Sequence, residues 1–135
     1  MRFAEWTDSL SVGVEKIDAQ HKKLLEVIND LHDAVKAGKG GDVLGALFEE
    51  LSTYVSTNFS TEEAFMERFS YPKAEGHKRA HDGFASKVLD LRTKSPNDAT
   101  AVGDEALAYL KNWIINHDVL IDRELGEFLN KRGID

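Results

Sequence analysis

The sequence predicts an all-α protein: an antiparallel up-down-up-down four-helix bundle with an extended N-terminal arm and a short C-terminal helix. Apolar residues recur at spacings of three and four along most of the 135 residues, with no convincing period-two alternation. Strong breaks are few. The two prolines, Pro72 and Pro96, and the run Gly38-Lys39-Gly40-Gly41 cut the chain into long stretches joined by short connections. Short links between helices of similar length favour antiparallel neighbours.

Residues 1–16, with Phe3, Trp6, Val12 and Val14, are expected as an arm packed on the outside of the bundle. The first helix should begin near Asp18, a residue suited to capping, and run to about Ala37. Its apolar stripe is Leu24, Leu25, Ile28, Leu31 and Val35, with His21 on the same face. The second helix should start after Asp42, carry Leu44, Leu47, Leu51, Val55, Asn58, Glu62 and Phe65, and end by Tyr71-Pro72. In the third, His77, His81, Phe84, Val88 and Leu91 form the stripe, which stops before Ser95-Pro96-Asn97. The fourth carries Val102, Ala106, Leu110, Ile114 and His117, and a last amphipathic turn or two spans Leu120 to Leu129.

Composition narrows the function classes. Hydrophobic residues at 41% and charged residues at 30% suit one globular domain over residues 1–135 with a sizeable core. A net charge of −7, with Lys and Arg scattered, argues against a nucleic-acid surface. The absence of cysteine excludes disulfides, thiolate zinc sites and iron–sulfur clusters. No opening apolar run resembles a signal peptide, and no window approaches the roughly 20 apolar residues of a membrane span. A cytoplasmic protein without membrane contact is the expectation.

Six residues on the inward stripes carry the chemistry: His21, Glu62, His77, His81, His117 and Asp122. A lone histidine on an apolar face is usually a satisfied core residue. Two on one stripe, His77 and His81 at i and i+4, facing other stripes with His and carboxylate, point instead to a bound metal. The intervening Lys78-Arg79-Ala80 lacks the glutamate of an H-E-x-x-H zinc protease. Beside Glu62, Glu63 is expected to be solvated. His117 and Asp122 are five apart, about 140° around a regular helix, so they either approach a site from two sides or are aligned by a π-bulge. His32 lies about 16 Å along the axis from His21 and is expected to be structural or end-exposed. Imidazole and carboxylate donors without sulfur suit iron, manganese or zinc. The Glu-x-x-His pairs of ferritin-like bundles are absent.

In these features the chain resembles the bacterial single-domain hemerythrins, over nearly all its length. The resemblance rests on Gly13-Val14 with Ile17-Asp18 and Gln20-His21, on Phe59 with Glu62-Glu63 and Met66, and on Tyr71-Pro72, His77-x-x-x-His81, Trp113 and His117-x-x-x-x-Asp122. It implies a four-helix bundle holding two non-heme irons bridged by an oxo or hydroxo group and two carboxylates. By position, His77, His81 and His117 would hold one iron, Glu62 and Asp122 would bridge, and His21 with residue 58 would hold the second, which handles O₂. The family has histidine where this chain has Asn58, and usually an aliphatic residue where it has Asp118.

The resemblance implies an O₂-binding di-iron protein for storage, delivery or sensing, with dioxygen or peroxide as its small-molecule partner. Because both departures fall at one iron, that ion is expected to be weakly held, opened to water or lost, with Asp118 a candidate replacement ligand. Faster autoxidation is the corollary. An oxidase- or peroxidase-like enzyme with a more open, carboxylate-richer site is the second reading, and a non-redox or mononuclear metal-binding bundle the third.

Overall fold

The computed structural model describes residues 3–39, 41–95 and 97–135, without the side chains at positions 41, 42 and 118. Among the described residues there is no strand, and four long helices make the bundle: α1 (Glu15–Lys36), α2 (Gly41–Arg68), α3 (Ala74–Lys94) and α4 (Ala99–Trp113). Helix α1 packs on α2 and α4, and α3 packs on the same two. From Ile114 to Ile121 the chain continues as a π-helix, and α5 (Asp122–Asn130) follows without a break. No helix is long and apolar enough to cross a membrane.

Local chemistry explains the helix ends. At the end of α1, Gly38 adopts φ 69°, while the Gly38 and Lys39 amides return to the Val35 and Ala34 carbonyls. Helix α2 ends the same way with Ser70 at φ 53°, where the Tyr71 amide reaches the Met66 carbonyl. A left-handed turn is normally glycine's place, so Ser70 stores strain there. Asp98 caps α4 by accepting from the Ala101 amide at 3.3 Å.

Helix α1 begins three residues earlier than expected. Its first residue is Glu15, after Val14 in extended conformation, and Asp18 already donates its amide to the Val14 carbonyl. The arm therefore ends at Val14. Asp18 caps the arm instead of its own helix, its carboxylate accepting from the Val12 amide at 2.8 Å and the Ser11 hydroxyl at 2.5 Å. Buried Asn29 grips the arm further back, donating to the Ala4 carbonyl at 2.6 Å and accepting from its amide at 2.8 Å. His32 stacks on Phe3 at 4.6 Å, the structural role expected of it.

Two apolar clusters fill the interior. The larger runs along the four helices and includes Leu24, Ile28, Phe48, Leu51, Phe84, Val88, Ala106 and Leu110. The smaller closes one end, where Val12 and Val14 of the arm meet Ile17, Met66, Tyr71, Leu125 and Leu129. Inward polar residues fall between members of these clusters along the chain: His21 between Ile17 and Leu24, Glu62 between Phe59 and Met66, His77 and His81 between Tyr71 and Phe84. The end plug is tightly fitted. A Cβ on Gly126 would stand 1.8 Å from the Val12 carbonyl oxygen.

Two substitutions test this account by urea denaturation. Gly126→Ala should lower stability by about 1–3 kcal/mol by forcing the arm off α5. Ser70→Gly should raise it by about 1 kcal/mol by removing the left-handed strain.

Candidate metal centre

Because α1 and α3 run opposite to α2 and α4, the start of α1, end of α2, start of α3 and end of α4 share one end of the bundle. His21, Glu62, His77, His81 and His117 come together there, joined by Asp122 from the first position of α5. All six are buried, with Glu62 and Asp122 at 0% exposure. Ligand atoms of Glu62, His77, His81, His117 and Asp122 all lie within 4.8 Å of one another.

The π-helix settles how His117 and Asp122 share a site. In it the Asp122 amide bonds to the His117 carbonyl, an i→i+5 register that stacks the two residues on one face. On an ordinary helix they would diverge. Trp113 stacks on His117 at 3.9 Å and Phe59 on His81 at 3.8 Å, each ring plane within 9° of its imidazole, so packing fixes both rings.

The two carboxylates divide their oxygens between two sides. Glu62 Oε1 lies 3.0 Å from His77 Nε2 and 3.1 Å from His81 Nε2, while Oε2 faces His21 Nε2 at 3.6 Å. Asp122 Oδ1 lies 2.9 Å from both His77 Nε2 and His117 Nε2, while Oδ2 stands 3.0 Å from His21 Nε2. The Glu62 contacts to His77 and His81 have the angles of hydrogen bonds. Among the described residues, Asp122 Oδ1 and Oδ2, Glu62 Oε2 and His117 Nε2 are buried without a hydrogen-bond partner. Donor atoms about 2.0–2.2 Å from a shared ion and at right angles stand about 3 Å apart. Close, converging, unbonded donors of this kind fit a cation in their midst.

Without a cation, protons balance the charge. Burial opposes ionisation of Asp122, but the imidazoles of His117, His21 and His77 hold its carboxyl well below the ordinary range. For Glu62, burial and the charge of Asp122 push upward, and His21, His77 and His81 more than reverse this. Burial also disfavours the charged form of His77, yet the nearby carboxylates of Asp122 and Glu62 raise it to about 9. At His117 burial wins and the pKa is lowered. A metal ion would take the place of the His77 proton.

Outside this ring, Asn58 is 2% exposed and donates its amide nitrogen to Gln20 Oε1 at 2.8 Å. Gln20 is held in turn by the Thr61 hydroxyl at 3.0 Å. A narrow apolar crevice lined by Trp6, Leu10, Leu25 and Ile114 reaches His21. On the other side, a cavity of about 190 Å³ lined by Tyr71, Lys73, Gly76, Ile121 and Glu124 ends on His77. The expected role of Asp118 falls outside the described side chains. Glu63 corrects the expectation of a solvated acid: its Oε2 lies 2.9 Å from His81 Nδ1. Nothing in the local pattern marks it, because the pairing depends on the packing of α2 against α3.

Fold and site define a four-helix bundle with a buried imidazole–carboxylate centre suited to a cation. The model of the hemerythrin HHE cation binding domain matches residues 12–129, and the chain belongs to the hemerythrin family, whose members bind non-heme iron and dioxygen. It is 38% identical over 117 residues to the bacteriohemerythrin of Pseudomonas aeruginosa, covering 87% of this chain and 75% of that protein. The bacteriohemerythrin of Methylococcus capsulatus is 28% identical over 131 residues, 96% of this chain and 99% of its own. A crystal structure of wild-type hemerythrin superposes with a TM-score of 0.82 at 28% identity, covering 93% of this chain and 96% of that one.

The protonation balance has a measurable consequence. Since His77 is raised from 6.5 to about 9, its contribution to the metal-free protein is full below pH 6.5 and lost as pH rises through about 9. Urea midpoints of chelator-treated protein should fall across that window, whereas those of metal-loaded protein should not.

Proposed function

We propose that this chain is a non-heme di-iron protein that binds dioxygen, with one complete corner and one weakened corner. The observation that carries the reading is the division of the carboxylate oxygens: one oxygen of each faces the three-histidine group, and the other faces His21. Two cations sharing two carboxylates require that division. His77, His81 and His117 would hold the first iron, Glu62 and Asp122 would bridge, and His21 with the Asn58 carbonyl would hold the second. Bound there, the iron pair supplies the electrons for reversible dioxygen binding.

The protein's own residues do the rest. Stacked rings of Phe59 and Trp113 hold His81 and His117 in place, so little reorganisation accompanies a change of charge at the first corner. The crevice of Trp6, Leu10, Leu25 and Ile114 keeps the His21 corner apolar, which limits proton leakage there. Asn58 works against the second corner. An amide oxygen binds iron more weakly than imidazole, and its donor nitrogen is committed to Gln20. Asp118 would add a carboxylate to the same corner. Together they favour a second ion that exchanges easily and an oxygen adduct that decays quickly.

Anaerobic reduction, iron counting and admission of O₂ with visible spectroscopy test the reading. The natural chain should hold fewer than two irons after dialysis and show a short-lived charge-transfer band. Asn58→His should restore two irons and lengthen the adduct lifetime about tenfold or more, and Asp118→Ile should extend it further. Unchanged iron content and lifetime in the double variant would defeat the proposal, and steady O₂ consumption without an adduct band would favour an oxidase.

A further inference from the structure

We infer that Glu63 is a positioning residue for the three-histidine corner: through the outer nitrogen of His81 it fixes the ring tautomer and strengthens His81 as a metal donor. The inference rests on the metal-binding reading above and on an asymmetry among the three imidazoles. His81 Nδ1 lies 2.9 Å from Glu63 Oε2. Among the described residues, the corresponding Nδ1 atoms of His77 and His117 are buried with no hydrogen-bond partner. One ring of the three therefore has an anion on its far side.

Glu62 faces inward at 0% exposure, whereas the neighbouring Glu63 side chain is 36% exposed at the seam between α2 and α3. Phe59, one helical turn before Glu63, stacks flat on the His81 ring, so the ring cannot swing away from the carboxylate. With the ring clamped, the carboxylate holds the proton on Nδ1, so that a metal ion would displace only the Nε2 proton now shared with Glu62 Oε1 at 3.1 Å and take that lone pair. An anionic acceptor also makes the imidazole more electron-donating than a neutral one would. The three-histidine corner is thus biased towards the higher charge state of its metal through His81.

Cobalt(II), added to the full chain after chelation, is the probe, with chelator competition for affinity and proton NMR for the shifted exchangeable imidazole N–H signals. Glu63→Ala should weaken cobalt binding by 10–100-fold and abolish the protected His81 N–H signal. Glu63→Gln, which retains an acceptor oxygen but no charge, should recover that signal and part of the affinity. In the iron-loaded protein both variants should move the reduction potential upward, a shift that packing alone would not produce in Glu63→Gln. Far-ultraviolet circular dichroism checks that both variants fold. Equal cobalt affinity and equal potential in all three forms would overturn this inference alone. A natural chain that takes up no cobalt would overturn the metal reading and this inference with it.

Discussion

Two carboxylates, Glu62 and Asp122, sit fully inside a four-helix bundle, and much of the structure compensates for their burial. An isolated carboxylate in such a place would be neutralised by protonation. Here four imidazoles close around the pair, near enough that both carboxyls are held below their ordinary range while His77 is raised to about 9. The two apolar clusters on either side keep water from sharing that task. Interrupting four hydrophobic stripes at one level is costly to a core, and it is coherent only because all four interruptions meet.

Meeting requires register. Antiparallel packing brings early residues of α1 and α3 level with late residues of α2 and α4, and the arm and α5 then plug the open end. The plug depends on backbone proximity more than on side chains: the Val12 carbonyl lies directly against Gly126, and Asn130 donates to the Gly13 carbonyl at 2.8 Å. The π-helix belongs to the same design. It turns a five-residue spacing into a single face, and so lets one continuous segment supply both His117 and Asp122.

The centre is not symmetric. Three histidines line one side: His81 and His117 are clamped under aromatic rings, and His81 is also backed by Glu63. The other side has His21 and an asparagine whose amide nitrogen is engaged elsewhere. Three imidazoles therefore face one imidazole and one amide across the two carboxylates. On the di-iron reading proposed above, the first side would hold its ion firmly and the second would leave its ion exchangeable.

The fold class, the helices and the six inward polar residues were legible along the chain, because helical periodicity is local and a polar residue interrupting an apolar stripe is visible without knowing its partner. Asn58 was legible for the same reason. The start of α1 was not: Asp18 has the chemistry of a cap, but tertiary contact turns its carboxylate towards Ser11 and Val12. His117 and Asp122 left two geometries open, since spacing alone does not determine the helix type between them. Glu63 looked like a surface acid because its partner lies eighteen residues away on another helix. Local pattern determined which residues turn inward. Only the packing of helix on helix decided which atoms meet, because hydrogen bonds and charge balance at the centre depend on distances between segments remote in the chain.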